Sequence, residues 1–166
     1  MVTAVWDKLI LLLTQNLQIY QALLRLSQKK REVLVAVNPQ DLEQLTKQEE
    51  MLIIEAGKLE KLRQTLTGEL AAALSLSPGQ TALAVLIEQA EAETAAKLRT
   101  ISETFTGVTA ELVELNAVNE KLIKQSLDYI NYNINILSQS TAEPTYAPKG
   151  QPDTGRAGKS MFDAKA

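Results

Sequence analysis

The sequence of 166 residues contains no cysteine and no histidine. The absence of cysteine excludes disulfides and thiol chemistry, and it is typical of a protein from a reducing compartment. The absence of histidine removes the commonest general base, the Ser-His and Cys-His nucleophile pairs, and the Glu-x-x-His ligand pairs of di-iron helical bundles. We therefore expect no enzyme activity, no cofactor and no metal site.

The chain also lacks a strong charge of one sign and a long apolar run. Its 17 basic and 20 acidic residues give a net charge of -3, so no global basic field attracts nucleic acid or anionic lipid. The basic cluster Lys29, Lys30 and Arg31 has no interleaved aromatics and is typical of a solvated helix segment. The apolar run at residues 9–13 is far too short to span a bilayer, and it lacks the basic leader and small-residue cleavage site of a secretion signal. We expect a cytoplasmic protein with no membrane insertion and no nucleic-acid partner.

Two weak motifs are better explained without a ligand. The "GKS" at residues 158–160 resembles the end of a phosphate-binding loop, but Asp153 stands where that loop needs a glycine. Carboxylate pairs such as Glu88 with Glu91 lie one helical turn apart and could share a cation. Without histidine or an apolar enclosure, a solvated helix face is the simpler interpretation.

Helical spacing of apolar residues predicts two long helices in the first part of the chain. The first extends from a Thr3 cap to about Val37, and "NPQD" ends it: Asn38 can cap a second helix, Pro39 suits its first position and Asp41 places negative charge in its first turn. The apolar positions of the first helix are Val5, Trp6, Leu9, Leu13, Leu17, Tyr20, Leu24, Val33 and Val37. Those of the second are Leu42, Leu45, Leu52, Ala56, Leu59, Leu62 and Leu66. The short connection predicts an antiparallel hairpin.

Gly68 and the stretch "SLSPGQ" interrupt the middle of the sequence. They predict short helices at about 69–75 and 78–89, the latter with a capping box formed by Ser77 and Gln80. A third long helix follows from about Ala90, in which Gly107 is a weak point that does not break the helix.

The composition changes after Leu137, where the sequence contains Pro144, Pro148 and Pro152 as well as Gly150, Gly155 and Gly158. This composition predicts a disordered tail. The expected fold is all-α: an antiparallel, coiled-coil-like bundle of three long helices with short connecting helices in residues 1–138, and a flexible tail in residues 139–166.

The stretch "DYINYNINIL" at residues 128–137 is ambiguous by its pattern. Apolar residues alternate with asparagines from Ile130 to Ile136, which is the period of a half-buried strand. A strand would need a partner, and the other apolar segments have helical periodicity. We therefore predict that this stretch continues the third long helix.

A helical conformation gives this stretch two apolar faces. One continues the core-facing positions upstream, and we name it the seam stripe: Ile123, Leu127, Ile130, Ile134 and Leu137. The other lies roughly 145° away, and we name it the aromatic stripe: Tyr129, Tyr132 and Ile136. One stripe suffices for a bundle, so the aromatic stripe needs a further explanation. It could be core wrapped around this end, a homodimer seam, or a docking surface for another protein's helix.

The order of these segments resembles the FlgN family of flagellar export chaperones. The similarity spans residues 3–150 and is most specific in "LNAVNEKLIKQSLDYINYNINIL", with "TYAPKG" in the tail. The positions that match the family's C-terminal helix pattern are Leu115, Asn116, Asn119, Gln125, Ser126, Leu127, Tyr129, Ile130 and Asn131.

This resemblance implies a non-catalytic chaperone that holds hook-associated proteins of the hook–filament junction and delivers them to the flagellar type III export apparatus. In the family the C-terminal region binds cargo, which gives the aromatic stripe a role that periodicity cannot assign. The expected partner-binding residues are Leu122, Gln125, Leu127, Tyr129, Ile130, Tyr132, Asn133, Ile136, Leu137 and Tyr146. The alternative is a structural helical-bundle protein that uses the same stripe to form a homodimer.

Overall fold

A computed structural model describes residues 2–77 and 81–142, which form four helices. Helix α1 spans Val2–Val35, α2 Pro39–Ala73, α3 Leu83–Glu88 and α4 Ala92–Ala142. These residues contain no strand, so the all-α prediction is confirmed, and residues 128–137 are helical as predicted. The chain divides into two units, residues 1–123 and 124–166, and α4 contributes to both.

The turn between α1 and α2 forms as its sequence predicts. The Asn38 side-chain oxygen accepts a hydrogen bond of 3.2 Å from the backbone N–H of Asp41, and the Asn38 amide nitrogen donates one of 2.7 Å to the Asp41 carboxylate. Pro39 occupies the first helical position, where its missing N–H costs nothing. The prediction for α1 is less accurate, because Thr3 lies inside the helix instead of capping it.

The prediction of a short separate helix at 69–75 is wrong, because α2 continues through Gly68 to Ala73. Glycine in a helix costs about 1 kcal/mol relative to alanine. The buried neighbours Thr67, Leu70 and Ala71 offset that cost, since they pack only if the helix continues. The second short helix begins later than predicted, at Leu83, and has no side-chain cap; residues 78–80 of the predicted capping box lie outside the described residues.

The core of the first unit lies where all four helices meet. Leu9 of α1, Leu70 of α2, Leu86 of α3 and Leu98 of α4 are each fully buried, and Trp6, Leu13, Ile87 and Ala95 complete the cluster. Helix α1 buries more of its circumference than predicted. The additional buried residues are Leu12, Ile19 and Leu23, because α1 packs against two long helices.

Two contacts set the direction of α4 relative to α1. The rings of Tyr20 and Phe105 are 4.6 Å apart, and the side chains of Ser27 and Asn116 are hydrogen-bonded. Since residue numbers increase together along both helices, α1 and α4 run parallel in the first unit. The hairpin makes α2 antiparallel to both, which agrees with the predicted bundle.

A polar cluster joins α1 to α4 inside this unit. The Ser27 hydroxyl donates to the side-chain oxygen of Asn116 at 2.6 Å, and the Asn119 amide nitrogen donates to the backbone oxygen and hydroxyl of Ser27 at 2.9 and 3.1 Å. Ser27 is fully buried and Asn119 is 3% exposed. A one-residue slip of α4 would leave these buried groups unpaired, so the cluster fixes the register of the two helices.

Truncation of the leucine layer should destabilise the first unit strongly. We expect Leu70→Ala to lower the free energy of unfolding by about 2–5 kcal/mol, because it removes buried methyl groups and leaves a cavity. Val113→Ala is the control, since Val113 is 70% exposed, and its effect should stay below about 1 kcal/mol. Urea denaturation followed by circular dichroism measures both, and equal losses would contradict the proposed core.

Removal of the Asn119 side chain should also destabilise the protein. We expect Asn119→Ala to cost about 1–3 kcal/mol, because it leaves the buried carbonyl and hydroxyl oxygens of Ser27 without that donor. Asn131→Ala, on an exposed face of α4, should change stability by less than about 0.5 kcal/mol. If the same denaturation assay finds the two variants alike, the cluster does not contribute as inferred.

Candidate protein-binding surface

Helix α4 is the one element described in the second unit, as residues 124–142. Its apolar side chains are exposed: Tyr129 is 69%, Tyr132 63% and Leu137 65% accessible to solvent. Exposed apolar residues are normal when scattered, whereas a contiguous set is a candidate interaction surface.

The expectation that the seam stripe is buried in the bundle is wrong. Leu127, Ile130 and Ile134 are 54%, 51% and 48% exposed, and Ile123, in the first unit, is 38% exposed. A helix buries an apolar stripe only against a facing element, and no second element is described in residues 124–142. The sequence pattern identified the stripe, but it could not show that the described residues of this unit contain no element facing it.

The aromatic stripe lies on the other side of the same helix segment. Tyr129, Tyr132 and Ile136 fall within about 60° of one another at 100° per residue, and Gln125 falls on the same face. Tyrosine suits such a surface because it buries a large area with few rotatable bonds and keeps a hydroxyl for hydrogen bonding.

The asparagines separate the two stripes. Asn131 and Asn135 lie on one flank, and Asn133 lies on the other, where its amide nitrogen donates to the backbone oxygen of Tyr129 at 2.9 Å. Lys124 and Asp128 are the only charged residues of positions 124–142. This segment therefore offers apolar contact and amide hydrogen bonding, and very little long-range electrostatic attraction.

The predicted partner-binding residues do not form a single patch. Tyr129, Tyr132 and Ile136 belong to the aromatic stripe, whereas Leu127, Ile130 and Leu137 belong to the seam stripe. Leu122 is half-buried and belongs to the first unit, and Tyr146 lies outside the described residues. Ile134 belongs to the seam stripe but was not among the expected partner-binding residues, although at 48% it is about as exposed as Ile130 and Ile136.

The titratable groups with shifted pKa values belong to helix-surface ion pairs. Hydrogen bonds from Arg63, at 2.7 Å to each oxygen, and the nearby positive charge lower the pKa of the Glu60 carboxyl, although partial burial opposes them. A hydrogen bond from Lys97 lowers the pKa of Glu93 in the same way. Both glutamates are thus held ionised at neutral pH and are poorly suited to donate a proton.

The described residues contain no group of three or more His, Cys, Asp or Glu side chains placed to hold a metal ion. Within residues 2–77 and 81–142, no helix is both long enough and apolar enough to cross a membrane.

Fold and surface together define a helical protein with a helix segment whose apolar side chains are exposed to solvent. The family model described as FlgN protein matches residues 1–154, so the chain belongs to the FlgN family. This is a family of chaperones of flagellum biogenesis, and the chain accordingly has a flagellar chaperone role. No curated protein and no solved structure matches the chain.

Alanine at the aromatic stripe should leave the fold intact. We expect Tyr129→Ala, Tyr132→Ala and Ile136→Ala each to change the free energy of unfolding by less than about 1 kcal/mol, because these residues are 69%, 63% and 45% exposed. Urea denaturation checks this, with Leu70→Ala as the destabilised reference. A loss of several kcal/mol in all three variants would place the stripe in a core.

Proposed function

We propose that this chain binds hook-associated proteins of the hook–filament junction in the cytoplasm and delivers them to the flagellar type III export apparatus. The aromatic stripe is the contact surface for the cargo. The observation that carries the proposal is the exposure of Tyr129, Tyr132 and Ile136 along one face of a helix that belongs to a flagellar chaperone.

The chemistry of the stripe favours an amphipathic helix as the bound part of the cargo. Two helices pack when apolar side chains of one enter the spaces between side chains of the other, and residues at spacings of three and four present such a row. Tyr129, Tyr132 and Ile136 follow those spacings. The hydroxyls of Tyr129 and Tyr132 and the flanking asparagines can hydrogen-bond to polar groups at the edge of the contact.

The size of the stripe suits reversible binding. Full burial of three such side chains contributes roughly 4–9 kcal/mol, from which the cost of association and of ordering the cargo is subtracted. Since the association cost is about 4 kcal/mol or more, the remainder is at most about 5 kcal/mol. This is weaker than 1 µM binding, which equals about 8 kcal/mol, unless further residues take part. An export chaperone must release its cargo, and moderate affinity permits this.

The test is isothermal titration of the full chain with purified hook-associated proteins from the same organism. Tyr129→Ala combined with Tyr132→Ala should weaken binding of the cargo at least about 30-fold, which corresponds to about 2 kcal/mol. Truncation of a single buried aromatic residue at the centre of an interface can cost about 2 kcal/mol or more. The matched control is Asn131→Ala with Asn135→Ala, which lies on the flank and should change the affinity less than about fivefold.

Equal weakening by both double variants, or no binding of any hook-associated protein, would contradict the proposal. Delivery is tested separately by a pull-down on immobilised, detergent-solubilised export apparatus. The expected result is that the chain with cargo bound is retained by the apparatus more than the chain alone.

The exposed seam stripe supports a second candidate, a self-associating structural protein. Leu127, Ile130 and Ile134 could pair with the same residues of a second copy and bury both rows. Light scattering over a range of concentrations discriminates between the two functions. A constitutive dimer that dissociates on Ile130→Asp would favour self-association.

A further inference from the structure

A second apolar surface lies in the first unit, along one side of the α1–α2 hairpin. A groove of about 900 Å³ runs between Ala22–Lys29 of α1 and Gln48–Leu59 of α2. Its floor is formed by Leu26, Leu52 and Leu59. A smaller depression of about 380 Å³, between Lys8–Gln15 of α1 and Leu62–Glu69 of α2, lies farther along the same two helices.

The two depressions lie on one continuous face. On α1, the lining positions 8, 15, 22 and 29 are spaced by seven residues, and on α2 positions 48, 55, 62 and 69 are spaced in the same way. A seven-residue repeat returns to the same side of a helix after two turns. The groove therefore follows the hairpin for about 32 Å, at 1.5 Å per residue over 21 residues.

The groove faces away from α4. Ser27 and Tyr20 contact α4, and each is two residues from a groove position, Lys29 and Ala22 respectively. Two residues correspond to 200° of rotation, so the groove lies about 160° around α1 from the α4 contact. A helix bound there would turn the three long helices of this unit into a four-helix arrangement.

The apolar residues along the groove are strongly exposed. Met51 is 72%, Ile54 56%, Leu11 60% and Leu62 53% accessible to solvent. None of the four was included among the expected partner-binding residues. They lie on the groove faces of both helices, so one bound helix could cover all of them.

The groove has the opposite charge to the chain as a whole. Its larger part is lined by Arg25, Lys29 and Lys58 against a single carboxylate, Glu55, and the smaller part adds Lys8 and Glu69, which balance each other. The ion pairs formed among the described residues do not involve the three cations of the larger part. The groove thus carries an excess of two positive charges in a chain of net charge -3.

We propose that this groove binds an amphipathic helix of a partner protein, with apolar residues in a seven-residue repeat and carboxylates along both sides of that row. Carboxylates would pair with Arg25, Lys29 and Lys58, and the apolar row would cover Met51 and Ile54. The charge argues against self-association through this groove, because two copies of the same face would place like positive charges against each other. The chain's own residues 143–166 are also a poor match, since they hold four basic and three acidic residues. The proposal goes beyond cargo binding at the aromatic stripe and does not depend on it.

The probe for the test is a fluorescently labelled synthetic helix of 21 residues, with leucine at the first and fourth positions of each heptad and glutamate beside them. A twin probe carries lysine in place of each glutamate. Fluorescence anisotropy with the full chain should give at least tenfold tighter binding of the glutamate probe at low salt, and the difference should shrink as ionic strength rises.

Matched variants locate the binding. Ile53 and Ile54 are both 56% exposed and adjacent, but only Ile54 lines the groove. Ile54→Asp should weaken binding of the glutamate probe at least tenfold, and Ile53→Asp should change it less than twofold. Arg25→Glu with Lys29→Glu should reverse the preference in favour of the lysine probe, which also provides the test if Ile54→Asp proves unfolded by circular dichroism.

Four results would overturn the proposal. These are equal affinity for both probes, equal effects of the two isoleucine variants, loss of binding in the Tyr129→Ala, Tyr132→Ala double variant, and a stable dimer in sedimentation that Ile54→Asp dissociates. The third result would show that the probe binds to the aromatic stripe, and the fourth would show that the groove binds a second copy of the chain.

Discussion

The packing of Leu9, Leu70, Leu86 and Leu98 is the contact on which the first unit depends. These four fully buried side chains come from four different helices, so this layer joins all four helices into one bundle. Long helices in water gain most of their stability from such packing, since nucleation is costly and propensity alone is marginal. The short helix α3 matters for the same reason, because its Leu86 and Ile87 are buried in the same cluster.

The cluster of Ser27, Asn116 and Asn119 plays a different part from that layer. Leucines on a long helix tolerate several alignments, because shifts by one heptad bring similar side chains together. Hydrogen bonds with fixed donors and acceptors do not tolerate such shifts. The buried oxygen of Asn119 has no hydrogen-bond partner among the described residues, which lowers stability in a place where the amide secures a unique alignment.

The sequence predicted local features well and features that depend on neighbouring elements less well. The turn at Asn38 and Pro39 and the helical state of residues 128–137 follow from capping chemistry and periodicity, and both are confirmed. The prediction of a helix break at Gly68 was wrong, because other helices decide whether the residues around it are buried. The apolar pattern of the candidate surface could be read from the sequence. The exposure of the seam stripe could not, because it depends on whether another element packs against it. The assignment of individual residues to cargo contact stays a prediction.

The path of the chain has a consequence for the order in which the first unit assembles. Helices α1 and α2 are separated by only three residues, whereas Ser27 and Asn116 are 89 positions apart. The entropy lost on closing a loop grows with its length, so local pairs form at lower cost than distant ones. We therefore expect the hairpin to form first, with its outer groove already present, and α4 to dock onto it afterwards. A nascent chain would thus offer the groove to a partner before the helix that carries the aromatic stripe has been synthesised.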